Sequence, residues 1–247
     1  MAGLVAEMAE EHIRRDVVSY VRRSDRMNES QRTAWDSLRS VYVVDLPTGQ
    51  RRTSIAEDAQ VDWAGEFGRE APLFVEIGIG DGEAICALAA KFPQANVVGF
   101  EVYLPGVASC LSRLERKAVE NVRLVVADGR QGLETVLSGI TELWTLFPDP
   151  WQKKRHSKRR LVNVDFARLV AAKLLPGGRW RLATDWEDYA LGMRDILDAQ
   201  PGLANEYEGN EHDGWAPRWE DRPLTKFERR GIAAGRRCYD LSYLAVG

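Results

Sequence analysis

The chain has 247 residues, a formal net charge of −3, 45% hydrophobic and 29% charged residues. That is enough for one large α/β domain with a full core, and the near-neutral balance excludes binding of a polyanion through global charge, so any such contact has to come from local clusters. Cys86, Cys110 and Cys238 show no CxxC spacing and there are three histidines, so no metal site is predicted and reduced thiols are the plain interpretation. Met1 to Glu11 is acidic without an apolar core, and no run of 18 apolar residues occurs, which predicts a cytoplasmic protein that is neither exported nor membrane-spanning.

Residues 1–35 are polar, with Ile13, Val17, Val18 and Val21 at spacings compatible with a short helix and with Arg22, Arg23, Arg26 and Arg32 making the segment basic. Val41 to Leu46 reads as a short strand stopped by the turn signal Pro47-Thr-Gly49, and residues 48–70 as a polar connection. The expected division is an N-terminal arm, partly disordered, over 1–50 and a catalytic domain over 51–247. From Leu73 the pattern alternates. Strands are predicted at Leu73–Ile77, Val97–Phe100, Val122–Ala127, Glu142–Phe147 and Arg179–Ala183. Helices are predicted at Glu83–Lys91, Val107–Val119, Gln131–Leu137 and Asp165–Leu175, the last closed by Pro176-Gly-Gly178. This is the pattern of a doubly wound, mostly parallel sheet with helices on both faces. Met193–Leu197 completes a further helix, Pro201–Pro223 is long and polar, and Cys238–Val246 alternates as a final strand.

Phe147-Pro-Asp-Pro-Trp151 follows the fourth strand directly. Pro148 and Pro150 stiffen the turn and hold Asp149 out of helical geometry at a strand's C-terminal end, where open α/β sheets place ligands. Lys153, Lys154, Arg155, Lys158, Arg159 and Arg160 come next. An acid, an aromatic and a cationic run point to a polyanion carrying flat bases, against the plainer alternative of a solvated charged face.

Gly78-Ile-Gly80-Asp-Gly82 follows the first strand and opens a helix. The dinucleotide fingerprint GxGxxG fails because its last glycine would be Glu83, and no Gly-Lys-Ser/Thr of a Walker loop follows. Glu76, Glu101, Asp128, Asp149 and Asp185 each fall at or just beyond the end of a successive strand. Such a rim repels a bare pyrophosphate, whereas S-adenosylmethionine offers a sulfonium, an ammonium and a ribose diol and carries no phosphate.

The chain thereby resembles the class I S-adenosylmethionine-dependent methyltransferases, whose fold is a Rossmann-like, seven-stranded sheet. The resemblance implies that Glu76 with Gly78 and Gly80 holds the amino-acid part of the cofactor, Glu101 the ribose and Asp128 the adenine, with Asp149 beside the cofactor. Phe147-Pro-Asp-Pro-Trp151 with its cationic run, Ala183-Thr-Asp-Trp186 and Thr225-Lys-Phe-Glu228-x-x-Gly231 together are similar to the motifs of bacterial tRNA (guanine-N7)-methyltransferases. The N-terminal segment departs from that pattern, with Asp25 for the usual Gly and Asn28 for Thr, while Arg26 and Gln31 match.

This resemblance implies methyl transfer to N7 of a tRNA guanosine in the variable loop (EC 2.1.1.33). It implies Asp149 as the catalytic residue, and substrate contacts from Lys153, Asp185, Thr225, Lys226, Phe227 and Glu228. Lys154, Arg155, Lys158, Arg159 and Arg160 would hold the tRNA backbone. The expected partner is tRNA, without an obligate protein partner, for a monomer or homodimer. N7 has a lone pair and no proton to lose, so the reaction needs positioning and negative charge near the base rather than a strong general base. Phe147 or Trp151 could stack on the extruded base, Trp151 serving equally well as a hydrophobic lid. Two other readings remain at this stage: a methyltransferase of proteins or small molecules, and a non-catalytic RNA-binding protein on the same fold.

Overall fold

The computed structural model describes residues 26–247, so the expected short helix through Ile13 and Val21 and the arginines Arg22 and Arg23 lie outside the described residues. A seven-stranded sheet has the order β3-β2-β1-β4-β5-β7-β6. Strands β1 (Leu73–Ile77), β2 (Asn96–Phe100), β3 (Val122–Val125), β4 (Ile140–Leu146) and β5 (Leu174–Thr184) run parallel. Antiparallel β7 (Tyr239–Ala245) pairs with β5, and β6 (Leu203–Asn205) pairs with β7. β1 is buried along its whole length, as a central parallel strand covered on both faces must be. Helices α3 (Glu83–Lys91) and α4 (Leu104–Lys117) cover one face through Ile85, Leu88, Val107 and Leu111. Helices α5 (Gly129–Thr135), α6 (Val164–Lys173) and α7 (Glu187–Asp198) cover the other through Leu133, Phe166, Val170 and Met193.

Several elements differ from the sequence expectation. Val41 and Tyr42 end a helix, α1 (Glu29–Tyr42), and only Val43 makes a strand-like bridge, to Leu124. The helix begins at Asn28, whose side chain accepts from the Gln31 N–H at 2.9 Å while Gln31 caps the Asn28 N–H in return. Asn is as good an N-cap as Thr, which accounts for Asn28 at this position. The Gln31 amide also donates to the Pro105 carbonyl and to Ser109 Oγ, both at 3.0 Å, and seats α1 on α4. The polar connection after residue 48 contributes to the core through Ile55 and Ala59 and forms a short helix, α2 (Trp63–Phe67). Pro176-Gly-Gly178 lies within β5, since Leu174 already pairs with Ile140 and pairing resumes at Arg179 opposite Glu142. The last helix, α8 (Lys226–Ala233), follows the long tail loop.

Candidate active site

A cleft of about 650 Å³ opens at the C-terminal edge of the parallel strands. Its floor is the turn after β1. Gly78 (φ 81°) and Gly80 (φ 57°) take left-handed conformations that a side chain would strain. At Gly78 a Cβ would meet nothing within 4 Å and would project into open space. Glu101 clamps the turn, its Oε2 accepting from the Gly80 N–H at 2.8 Å and its Oε1 from the N–H groups of Val102 and Tyr103. Burial pushes the Glu101 carboxyl up, with those backbone donors pulling the other way.

Glu76 lies deeper, 2% exposed and lining the cleft, and among the described residues its Oε2 is buried without a hydrogen-bond partner. Burial pushes its carboxyl well above the usual carboxylate range, with Cys86 and Glu101 adding to the effect. Asp128 is placed differently from the expectation. Its Oδ1 accepts from the Arg130 and Gln131 N–H groups as the N-cap of α5, and it is the flanking Ala127 and Gly129 that line the cleft.

The Pro-Asp-Pro turn forms the wall after β4. Phe147 (φ 53°) and Trp151 (φ 45°), on either side of it, both adopt left-handed backbone, which costs on the order of 1–3 kcal/mol per residue and persists only where neighbours enforce it. Here the Phe147 N–H donates to the Ala183 carbonyl at 2.7 Å, and Asp149 Oδ1 accepts from the Trp151 N–H at 3.1 Å. Arg160 Nε donates to the Pro150 carbonyl at 2.9 Å. These contacts, which enforce the strained backbone, hold an exposed Asp149 at the cleft wall. Trp151 is buried, with the Arg159 guanidinium 5.0 Å from its ring and His156 edge-on. That is the geometry of a lid and anchor, not of an open stacking platform.

The cationic run is not uniform. Lys153, Lys154, Arg155 and Lys158 are exposed, Lys154–Arg159 forming a 3-10 helix. Arg159 lines the cleft. Arg160, expected on the tRNA backbone, is engaged within the protein's own surface: it pairs with the exposed Asp188 at 2.5 Å and lies over the Tyr189 ring at 4.8 Å.

The tail closes the cleft. Thr225 and Phe227 line it, whereas Lys226 and Glu228 do not. Glu228, expected as an acceptor for guanine, is 2% exposed and turned inward, its carboxylate taken by Arg218 at 2.7 Å and Arg222 at 3.2 Å. Asp185 lines the cleft with its Oδ2 held by Arg236 Nε and Nη2 at 2.9 and 2.8 Å. Gly231 permits this approach, since a Cβ there would lie 2.5 Å from Asp185 Oδ2. Glu83, where the dinucleotide fingerprint would require glycine, accepts from the Lys226 N–H and pairs with Arg229 at 2.8 Å, so the residue that breaks one motif anchors α8. Arg222, Arg230 and Arg236 were not singled out from the sequence. Arginines scattered through a charged tail carry no period or spacing that marks them.

The residues present fit S-adenosylmethionine. A buried, unpartnered carboxylate oxygen suits its ammonium group, the turn at Gly78 leaves room for its chain, and Glu101 keeps acceptor capacity for a diol. Strand order, cleft position and carboxylate set together define a class I S-adenosylmethionine-dependent methyltransferase. A solved 16S rRNA methyltransferase, KamB, shares this fold with a TM-score of 0.50 at 18% identity, over 81% of this chain and 98% of that one. Residues 70–241 match the family model described as "Putative methyltransferase". A tRNA (guanine-N(7)-)-methyltransferase of Cutibacterium acnes is 48% identical over 98% of this chain and 87% of its own length. One from Nocardioides sp. is 46% identical over 94% and 89%, and one from Klebsiella pneumoniae 38% over 94% and 92%. The chain belongs to the tRNA (guanine-N7)-methyltransferase family. Among the described residues no helix is long and apolar enough to cross a membrane.

Glu76 gives a test of the cofactor cleft. Its folded-state pKa lies above the unfolded value, so the cofactor-free fold binds the proton more tightly. The associated stability is present at low pH and lost as pH rises from the ordinary carboxylate range through the raised value. A cation bound at Glu76 favours the ionised form, so S-adenosylmethionine affinity should rise with pH across that window with proton release. Glu76→Gln should flatten this dependence and weaken binding by about 1.5–3 kcal/mol. Calorimetry in buffers of different ionisation enthalpy reads both, and a pH profile identical in the variant would remove Glu76 from the cation's site.

Proposed function

We propose that the chain transfers a methyl group from S-adenosylmethionine to N7 of a guanosine in tRNA, in the variable loop, giving 7-methylguanosine and S-adenosylhomocysteine in the cytoplasm. The observation that carries this reading is the Pro-Asp-Pro turn, a strained wall that presents one carboxylate to a cofactor-sized cleft with the exposed cations Lys153, Lys154, Arg155 and Lys158 beside it.

In this reading Glu76, Gly78 and Gly80 take the amino-acid end of the cofactor and Glu101 the ribose. The adenine lies against Ala127 and Gly129, a segment fixed by the Asp128 cap. Bound there, S-adenosylmethionine supplies an electrophilic methyl group on sulfur. The protein has no proton to remove from N7, so its residues position and compensate. Asp149 and Asp185 Oδ1, which makes no hydrogen bond among the described residues, accept from the guanine N1–H and 2-amino groups, and Asp149 opposes the positive charge that grows on the base. Lys153 contacts the substrate nucleotide, and Thr225 and Phe227 close over it. Lys154, Arg155, Lys158 and Arg159 meet the tRNA backbone.

Incubating bulk tRNA with methyl-labelled cofactor, followed by nucleoside analysis and mapping of the labelled fragment, should give 7-methylguanosine from the variable loop. Label in another nucleoside, or only in protein or small molecules, overturns the reading.

A further inference from the structure

The two charged segments at the cleft belong to opposite faces of the sheet. The 153–160 run leads into α6, and its Arg160 rests on Tyr189 in the core that α5, α6 and α7 make. Helix α8 is tied instead to Glu83 of α3, and Phe227 stands over the glycine turn, where a Cβ on Gly80 would be 3.6 Å from the Phe227 ring. The cleft therefore opens between two rims. The α8 rim exposes Lys226, Arg230 and Arg237 together with Phe227, which is 47% exposed. Arg230 lines the cleft and, like the Lys226 ammonium, makes no ion pair among the described residues, although acids outnumber bases in the chain by 37 to 34. The neighbouring cations Arg229 and Arg236 are by contrast neutralised by Glu83 and Asp185. An unpaired cation pair beside an exposed aromatic is what a single-stranded phosphate backbone with a flanking base requires.

Resting on the reading of function above, we propose that α8 is a second RNA-binding rim. Lys226, Arg230 and Arg237 take phosphates on one side of the target guanosine, with the Phe227 ring that closes over the guanosine lying between it and the neighbouring base, and the 153–159 run takes the other side. Gripping the strand on both sides of one nucleotide is the arrangement that helps extrude its base from the stack, a step that costs a few kcal/mol.

The test compares the full-length enzyme with Lys226→Gln/Arg230→Gln/Arg237→Gln by tRNA binding across a salt series, with S-adenosylmethionine affinity as the check on folding. The log–log salt slope should fall by about 2, and tRNA Kd should weaken at least roughly tenfold near 0.15 M salt, at unchanged cofactor affinity. Lys154→Gln/Arg155→Gln/Lys158→Gln should remove a further, additive share. Should the α8 triple variant lose cofactor binding, Arg230→Gln and Arg237→Gln singly give the same measurement, each lowering the slope by somewhat under about 1. An unchanged slope in the α8 variants, with the unaltered enzyme binding and methylating tRNA, overturns the second rim alone. Failure of the unaltered enzyme to methylate tRNA overturns the reading of function and this proposal with it.

Discussion

Asp149→Ala is expected to lower kcat for tRNA methylation on the order of 10²–10³-fold, the size typical of losing a preorganised electrostatic contact. S-adenosylmethionine binding should be retained or change only modestly. The carboxylate lies at the wall of the cleft on a turn whose flanking residues, Phe147 and Trp151, both hold left-handed backbone. The contacts that enforce such a backbone fix the turn's direction, so the charge is in place before the base arrives. Asp149→Asn separates charge from geometry, because an amide oxygen can still accept from the Trp151 N–H as Asp149 Oδ1 does at 3.1 Å. If the charge matters, Asn should be severely impaired and Ala at least as badly. If only the turn matters, Asn should stay near the unaltered rate. Single-turnover rates at saturating cofactor distinguish these outcomes, and a nearly unaltered Ala enzyme would move the chemistry to Asp185.

Much of the sheet is legible in the sequence because parallel strands are buried on both faces and read as nearly continuous apolar runs, Val97–Phe100 being the clearest. α3 is predicted to the residue, since glycines bound its start and its apolar face is continuous. Helix α1 is missed for a physical reason. Its exterior is polar, and the β-branched cluster around Val41 outweighs the capping signal of Asn28 and Gln31, which lies three residues apart within a basic stretch. β6, three residues long, is too short for any period. At the site, backbone-defined features are visible in advance: the glycine turn, the two prolines and the acids at strand ends. What sequence does not distinguish is a cation that is spent from one that is free. Arg160 and Lys158 look alike in the run, yet only the structure shows the first held by Asp188 and Pro150. Glu228 is the counterpart among the acids. Its partners Arg218 and Arg222 lie in an irregular loop, so nothing in the spacing reveals that its carboxylate faces inward.

That inward carboxylate leads to the largest expected loss of stability. Arg222 has a fully buried side chain and bridges Glu228 at 3.2 Å and Asp240 at 2.9 Å, joining α8 to β7. Its guanidinium also lies 5.2 Å from the Phe147 ring, under one end of the strained turn. Burial raises the Asp240 carboxyl from its ordinary value, and the nearby Arg222 charge opposes that rise. Arg222→Met fills the same space but takes a partner from Glu228 and leaves the buried Asp240 without its cation, and should cost about 3–5 kcal/mol in denaturant unfolding, as removal of one partner from a buried pair does. Arg218, 40% exposed, reaches Glu228 at 2.7 Å and can still serve it, so most of the loss should come from Asp240. Two comparisons check this assignment. Arg218→Met should cost no more than about 1 kcal/mol, because solvent screens that pair. Adding Asp240→Asn to Arg222→Met should recover a large part of the lost stability, since the uncompensated charge is then gone. The recovered double variant should nonetheless methylate tRNA more slowly than the unaltered enzyme, because Phe147 has lost the cation beneath it and the turn carrying Asp149 is less firmly held. A loss below about 1 kcal/mol for Arg222→Met would mean that water reaches the acids and that the network is not the anchor of the tail.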